Sequence, residues 1–95
     1  MDENPDLEPV ALPLGREFDL HTFRSKEIPS VVEEYLREAR ALGYVQVRII
    51  HGWGIGFQRD VVRQVLAKTP FVLEFGDDVN GNRGATWATL APVRT

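Results

Sequence analysis

Few residues in this chain are equipped for chemistry. It has two histidines and no cysteine in 95 residues. Thiolate nucleophiles and thiolate metal sites are thereby excluded. Asp19 precedes His21 by two positions in Phe18-Asp19-Leu20-His21. In an extended strand, residues two apart point to the same face. A carboxylate beside an imidazole orients the ring, fixes its tautomer and holds its proton. Such a pair suits general acid–base work on a phosphoryl or acyl centre. His51 closes the apolar run Ile49-Ile50 and opens His51-Gly52-Trp53-Gly54-Ile55-Gly56. Gly52, Gly54 and Gly56 can take positive φ and bring backbone amides close to a ligand. With the start of the next helix they could form a nest for an anion, within reach of Arg59 in the first turn. The stretch lacks the Lys-Ser/Thr of a phosphate-binding P-loop and the spacing of a dinucleotide fingerprint. Thr22 carries a hydroxyl without an activating neighbour and reads as a turn residue.

Positioning these groups requires strands that end where the histidines stand. Glu17 to Leu20 alternates polar and apolar, as one short strand does. Ser30-Val31-Val32-Glu33, just after Pro29, fits a helix capping box. Val32, Tyr35, Leu36, Ala39 and Leu42 then follow at helical spacing, and Gly43 is a natural stop. Tyr44 to Ile50 is rich in β-branched residues and suits a central strand. Phe57 to Lys68 predicts a second helix burying Val61, Val62, Val65 and Leu66, ended by Thr69-Pro70. Phe71 to Phe75 and Ala85 to Leu90 predict two further strands, paired like a hairpin around the turn-rich segment Gly76 to Gly84. The order βαβαββ implies an α/β fold of two layers (an α+β sandwich): a four-stranded mixed sheet with both helices on one face. The first two strands should be parallel. His21 and His51 then stand at carboxyl ends of parallel strands, the edge where open α/β sheets bind ligands.

Charge is unevenly spread. The net charge is −3, but Asp2, Glu3, Asp6 and Glu8 lie in the first fifteen residues with no lysine or arginine among them. The remainder holds ten acids against eleven bases. Residues 1–15, with Pro5, Pro9 and Pro13, read as an acidic flexible tail, and 16–95 as the folded domain. No apolar run approaches the ~20 residues of a membrane span, and no signal peptide is evident, so a cytoplasmic location is expected.

Three blocks carry a family resemblance: Phe18-Asp19-Leu20-His21-Thr22-Phe23, Ile49-Ile50-His51-Gly52-Trp53-Gly54-Ile55-Gly56, and Gly84-Ala85-Thr86 before an apolar strand. Their order and spacing resemble the small MutS-related (Smr) domain, over about Phe18 to Leu90. The threonine in DLHTF resembles a branch of short stand-alone members. The resemblance implies a fold similar to the C-terminal domain of translation initiation factor three. It also implies endonuclease activity, nicking DNA or cleaving RNA, with the ribosome as a further partner for members that act on stalled messages. Asp19 and His21 are implied as catalytic. His51, Gly52, Gly54 and Gly56 are implied to engage nucleic acid, and Arg59 matches an arginine that often follows. Trp53 stands where lysine is frequent, which substitutes an aromatic platform for a phosphate contact. Asp60 stands where a second base is common, and Arg83 where this branch often has an aromatic.

The leading expectation is phosphodiester hydrolysis with His21 as general base or acid, Asp19 as its orienting group and His51 as a second acid–base group. The Gly52–Gly56 amides, Arg59, Arg24 and Arg83 would hold the phosphate, and Trp53 would stack on a base. No metal ligand is assigned, because no further acids support a site. A divalent ion (Mg or Mn) held by the two histidines and Asp19 stays open. The alternatives are a non-catalytic module binding nucleic acid or a ribosome-associated partner, and a binder of small phosphorylated molecules. Oligomeric state is not legible.

Overall fold

The computed structural model describes residues 16–52, 56–78 and 84–93. The tail, Trp53, Gly54 and Arg83 lie outside these residues. Six elements follow in the order β1 (Glu17–Asp19), α1 (Ile28–Ala41), β2 (Gln46–Ile50), α2 (Phe57–Lys68), β3 (Val72–Asp77) and β4 (Ala85–Leu90). The sheet order is β1-β2-β4-β3. β1 runs parallel to β2, with Phe18 beside Ile49 and Asp19 beside Ile50. β4 lies between β2 and β3, antiparallel to both. This is the expected mixed four-stranded sheet with two helices.

Alternation along the strands explains the layering. Phe18, Val47, Ile49, Ala88 and Leu90 are buried and share one core with residues of both helices. From α1 come Ile28, Val32, Tyr35, Leu36 and Ala39; from α2 come Val62, Val65 and Leu66. Phe18 stacks on Tyr35 with ring centroids 4.5 Å apart and planes 12° apart. Such a pair contributes roughly 0.5–1.5 kcal/mol beyond its buried area. Burial pushes the Tyr35 hydroxyl pKa upward, so it stays protonated. Arg40 ties α1 to the chain beyond β4, donating to the carbonyls of Ala91 and Pro92 at 3.1 Å each.

On the opposite face, Arg48 pairs with both Glu17 and Asp78. Those hydrogen bonds, Asp78 first, raise the Arg48 pKa against the opposing effect of burial. The ring of Trp87 lies over Gly76, where a Cβ would sit only 3.1 Å from the indole.

Several boundaries differ from expectation. The first helix begins at Ile28, so Ser30 falls in its first turn instead of capping it. Pro29 occupies an early position where its missing N–H leaves no gap. A short 3₁₀ turn, Ser25–Glu27, leads in, and the Glu27 carboxylate accepts the Arg24 N–H at 2.8 Å. Leu42 is exposed, because the helix ends one residue before it. β2 starts at Gln46, since the Tyr44 N–H still serves the Ala39 carbonyl. β3 extends to Asp77, through two residues expected in the loop, because Gly76 and Asp77 pair with Trp87 and Thr86.

Candidate active site

The parallel pairing of β1 and β2 brings the two histidine motifs to one sheet edge. Asp19, His21, Ile50, His51, Gly52 and Gln58 line an open concavity of about 490 Å³ there. Asp19 Oδ1 accepts the His21 backbone N–H at 3.0 Å and also lies 3.0 Å from His21 Nδ1. One carboxylate oxygen thus fixes both the turn and the ring. The Nδ1 edge of the ring faces this carboxylate, and Nε2 lies on the far side of the ring. The His21 side chain is 77% exposed against 30% for Asp19. The imidazole is held at its base and free at its tip, as a general acid or base must be.

His51 is placed differently. Its Nδ1 lies 2.9 Å from the Gly52 carbonyl and its Nε2 2.9 Å from Thr86 Oγ1. The carbonyl only accepts, so Nδ1 donates, and Nε2 of the neutral ring accepts from the threonine hydroxyl. Both ring nitrogens of His51 are therefore engaged. Gly52 has φ +80° and Gly56 φ +89°, the positive values anticipated for this turn. The Gly52 amide is not free for an anion, because it donates to the Gly84 carbonyl at 3.0 Å. The His51 amide donates to the same carbonyl at 3.0 Å. Among the described residues, amides without an intrahelical partner stand in the first turn of α2, which Gly56 opens without a side-chain cap.

Arg59 lies in that turn but faces a carboxylate. Its Nε and Nη2 donate to Asp77 Oδ1 and Oδ2 at 3.0 and 2.9 Å, and Arg63 joins Asp77 at 3.1 Å. The Arg59 hydrogen bonds hold the Asp77 carboxyl below its usual range, with the nearby charges of Arg59, Arg63 and His51 adding to this. Arg24 is exposed at the mouth of the 3₁₀ turn. Among the described residues no group of three or more histidine or acidic side chains converges as a metal site. Asp19 and His21 supply two donors without a third, a poor fit for a resident divalent ion.

This geometry can be set beside known proteins. The Smr domain profile matches residues 18–91, from the strand bearing Asp19 to the end of β4. The chain belongs to the Smr domain family. The Smr domain is 35% identical over 79 residues to the Endonuclease MutS2 of Thermus thermophilus, covering 81% of this chain and 11% of that protein. It is 37% identical over 78 residues to the Endonuclease MutS2 of Halalkalibacterium halodurans, covering 82% and 10%. The chain thus spans about a tenth of the length of these relatives. The crystal structure of the Smr domain of Thermus thermophilus MutS2 superposes with a TM-score of 0.75 at 35% identity. That match covers 82% of this chain and all of the other. No helix among the described residues is long and apolar enough to cross a membrane.

Reading the residues did not find Thr86, Gln58 or Asp77 as neighbours of the candidate site residues. The signal for Thr86 was its Gly84-Ala85-Thr86 block. Gly84 supplies the carbonyl and Thr86 the fully buried hydroxyl that hold the His51-Gly52 corner. Thr86→Val keeps the shape but leaves His51 Nε2 without its donor. Losing one net hydrogen bond costs about 0.5–1.5 kcal/mol. Thr86→Val should therefore lower the thermal midpoint measurably, and Thr86→Ser should not. Equal midpoints for both variants would show that this hydrogen bond does not hold the corner.

Proposed function

We propose that this Smr domain processes nucleic acid, cleaving phosphodiester bonds by acid–base chemistry. The observation carrying this reading is the Asp19–His21 pair, with the carboxylate 3.0 Å from Nδ1 and the imidazole 77% exposed, on a shared strand edge. His21 Nε2 would accept a proton from the attacking hydroxyl or water, or deliver one to the leaving oxygen. Asp19 would stabilise the imidazolium formed in the first case. His51 would act as a positioning residue, holding Gly52 and the loop entrance through its two occupied nitrogens. The α2 amides, with Arg59, would receive the phosphate. The MutS2 relatives are named endonucleases, which supports the same reaction class. Residues 16–95 are taken as the working domain and 1–15 as an acidic extension.

The test is a cleavage assay on supercoiled plasmid, single-stranded RNA and single-stranded DNA, with and without chelator. Loss of cleavage in His21→Ala supports the reading. Cleavage unchanged in both Asp19→Asn and His21→Ala overturns it.

A second reading, a binding module without catalysis, draws on Arg59. The cation expected to meet phosphate is already paired with Asp77. A phosphate group must displace or share that carboxylate. Asp77→Asn should therefore tighten binding to a single strand several-fold at low salt and steepen its salt dependence, since freed cations release more counterions. Glu74→Gln changes the net charge equally from the opposite sheet face, and should have a smaller effect. Titrations at several salt concentrations check this. Equal effects of the two substitutions would show that Arg59 is not the cation released.

A further inference from the structure

A second concavity adjoins the first and has a different character. It measures about 380 Å³, and its lining includes Ser25, His51, Gly52, Phe57, Gln58 and Arg59. His51, Gly52 and Gln58 line both hollows, so they form one continuous groove along the sheet edge. Phe57, the first residue of α2, is 52% exposed although it is aromatic. The core that α2 helps to build uses Val62, Val65 and Leu66, so Phe57 has no part in it. Ser25 and Gln58 add hydroxyl and amide groups able to meet the polar edge of a flat ring. Neither side chain is tied to another described group. Arg59 stands beside Phe57 with its charge directed to Asp77.

We propose that this second hollow receives an unpaired nucleobase next to the phosphate being processed, stacked on Phe57 and hydrogen-bonded by Gln58 and Ser25. The inference rests on the nucleic-acid reading above and names its substrate class: a strand with at least one unstacked nucleotide, as opposed to a continuous duplex. The chemistry fits on three counts. An exposed phenyl face stacks on any base, and each such contact supports single-strand binding without strict sequence choice. The hollow adjoins the Asp19–His21 edge, because the two cavities share His51, Gly52 and Gln58 in their lining. A base within a duplex cannot enter without being unstacked and unpaired, which carries an energetic penalty.

The test compares a short single-stranded oligonucleotide containing 2-aminopurine with the same sequence as a duplex. Wild type should quench the probe in the single strand, and Phe57→Ala should weaken single-strand binding about 5- to 100-fold while changing duplex binding little. Phe57→Trp should restore both affinity and quenching, which a variant with a damaged helix would not allow. Equal weakening on both substrates overturns the stacking role and leaves the nucleic-acid reading standing. A loss in Trp53→Ala that spares Phe57→Ala also overturns it, by moving the platform to residue 53. Wild type that binds neither oligonucleotide overturns this inference together with the reading on which it rests.

Discussion

Replacing His21 with alanine should lower phosphodiester cleavage by about 10²- to 10⁴-fold, the range over which one positioned acid–base group acts. The fold should be unaffected. The side chain is 77% exposed and its described ring contact is with Asp19, itself part of the site. Its loss removes no core packing, so the thermal midpoint should match wild type. Asp19→Asn should act through His21. The amide oxygen still accepts the His21 backbone N–H, so the turn survives. What disappears is the negative charge that holds the Nδ1 proton and stabilises the ring once Nε2 takes a second one. A fall of at least about tenfold is expected, and the double variant should be little worse than His21→Ala alone, because residues that act as a unit are non-additive. A multiplicative double variant would mean that Asp19 has a separate role. Single-turnover rates at saturating enzyme, beside melting curves, separate chemistry from binding and folding.

The placement of the Asp19–His21 pair was legible because it is local. Asp19 and His21 are two residues apart, and one strand end places them together without help from the rest of the chain. The parallel pairing of β1 and β2 was legible too, since a strand, a helix and a strand within so few residues leave little choice of topology. Helix α2 runs from Phe57 to Lys68 as expected, with glycines before it and Thr69-Pro70 behind it. The pairings of His51 with Thr86 and of Arg59 with Asp77 cross 35 and 18 residues of sequence. Periodicity does not report contacts of that range. The His51–Thr86 and Arg59–Asp77 contacts were therefore not foreseen from the sequence. The α1 boundary moved for a local reason. Ser30 and Glu33 mimic a capping box, but Pro29 is better suited to the first turn than to the residue before a cap, and a 3₁₀ turn precedes it. Gly76-Asp77 read as loop by composition. Its pairing with Trp87-Thr86 and the stacking of indole over Gly76 made it strand.

The largest stability effect is expected from a charge under the helix layer, and Ile49→Asp is the sharpest case. Ile49 is fully buried, paired between Phe18 on one side and Thr86 on the other. Losing the aliphatic side chain there costs about 2–5 kcal/mol. Among the described residues no cation is buried, Thr86 being the buried polar side chain, so the new group must be neutral to stay inside. Protonating an aspartate of ordinary pKa near 3.9 at pH 7 costs about 4 kcal/mol. The sum, roughly 6–9 kcal/mol, is comparable with the whole stability of a domain this size, about 5–14 kcal/mol. Ile49→Asp should therefore be largely unfolded at pH 7 by circular dichroism. Its pH dependence has a definite sign. The buried carboxyl has a folded pKa above its unfolded value, so above about pH 4 the native state binds more protons than the unfolded state. Stability of the variant should rise as pH falls from 7 towards 5, whereas Ile49→Asn, which does not titrate, should show no such gain. Asp77 works in the opposite sense, because its folded pKa is depressed by Arg59. Its contribution is present above the ordinary carboxylate range and is lost as pH falls through the lowered value, which confines the comparison to pH 5 and above. A cooperative melt of Ile49→Asp at pH 7, within a few degrees of wild type, would mean that this strand is not sealed beneath the helices.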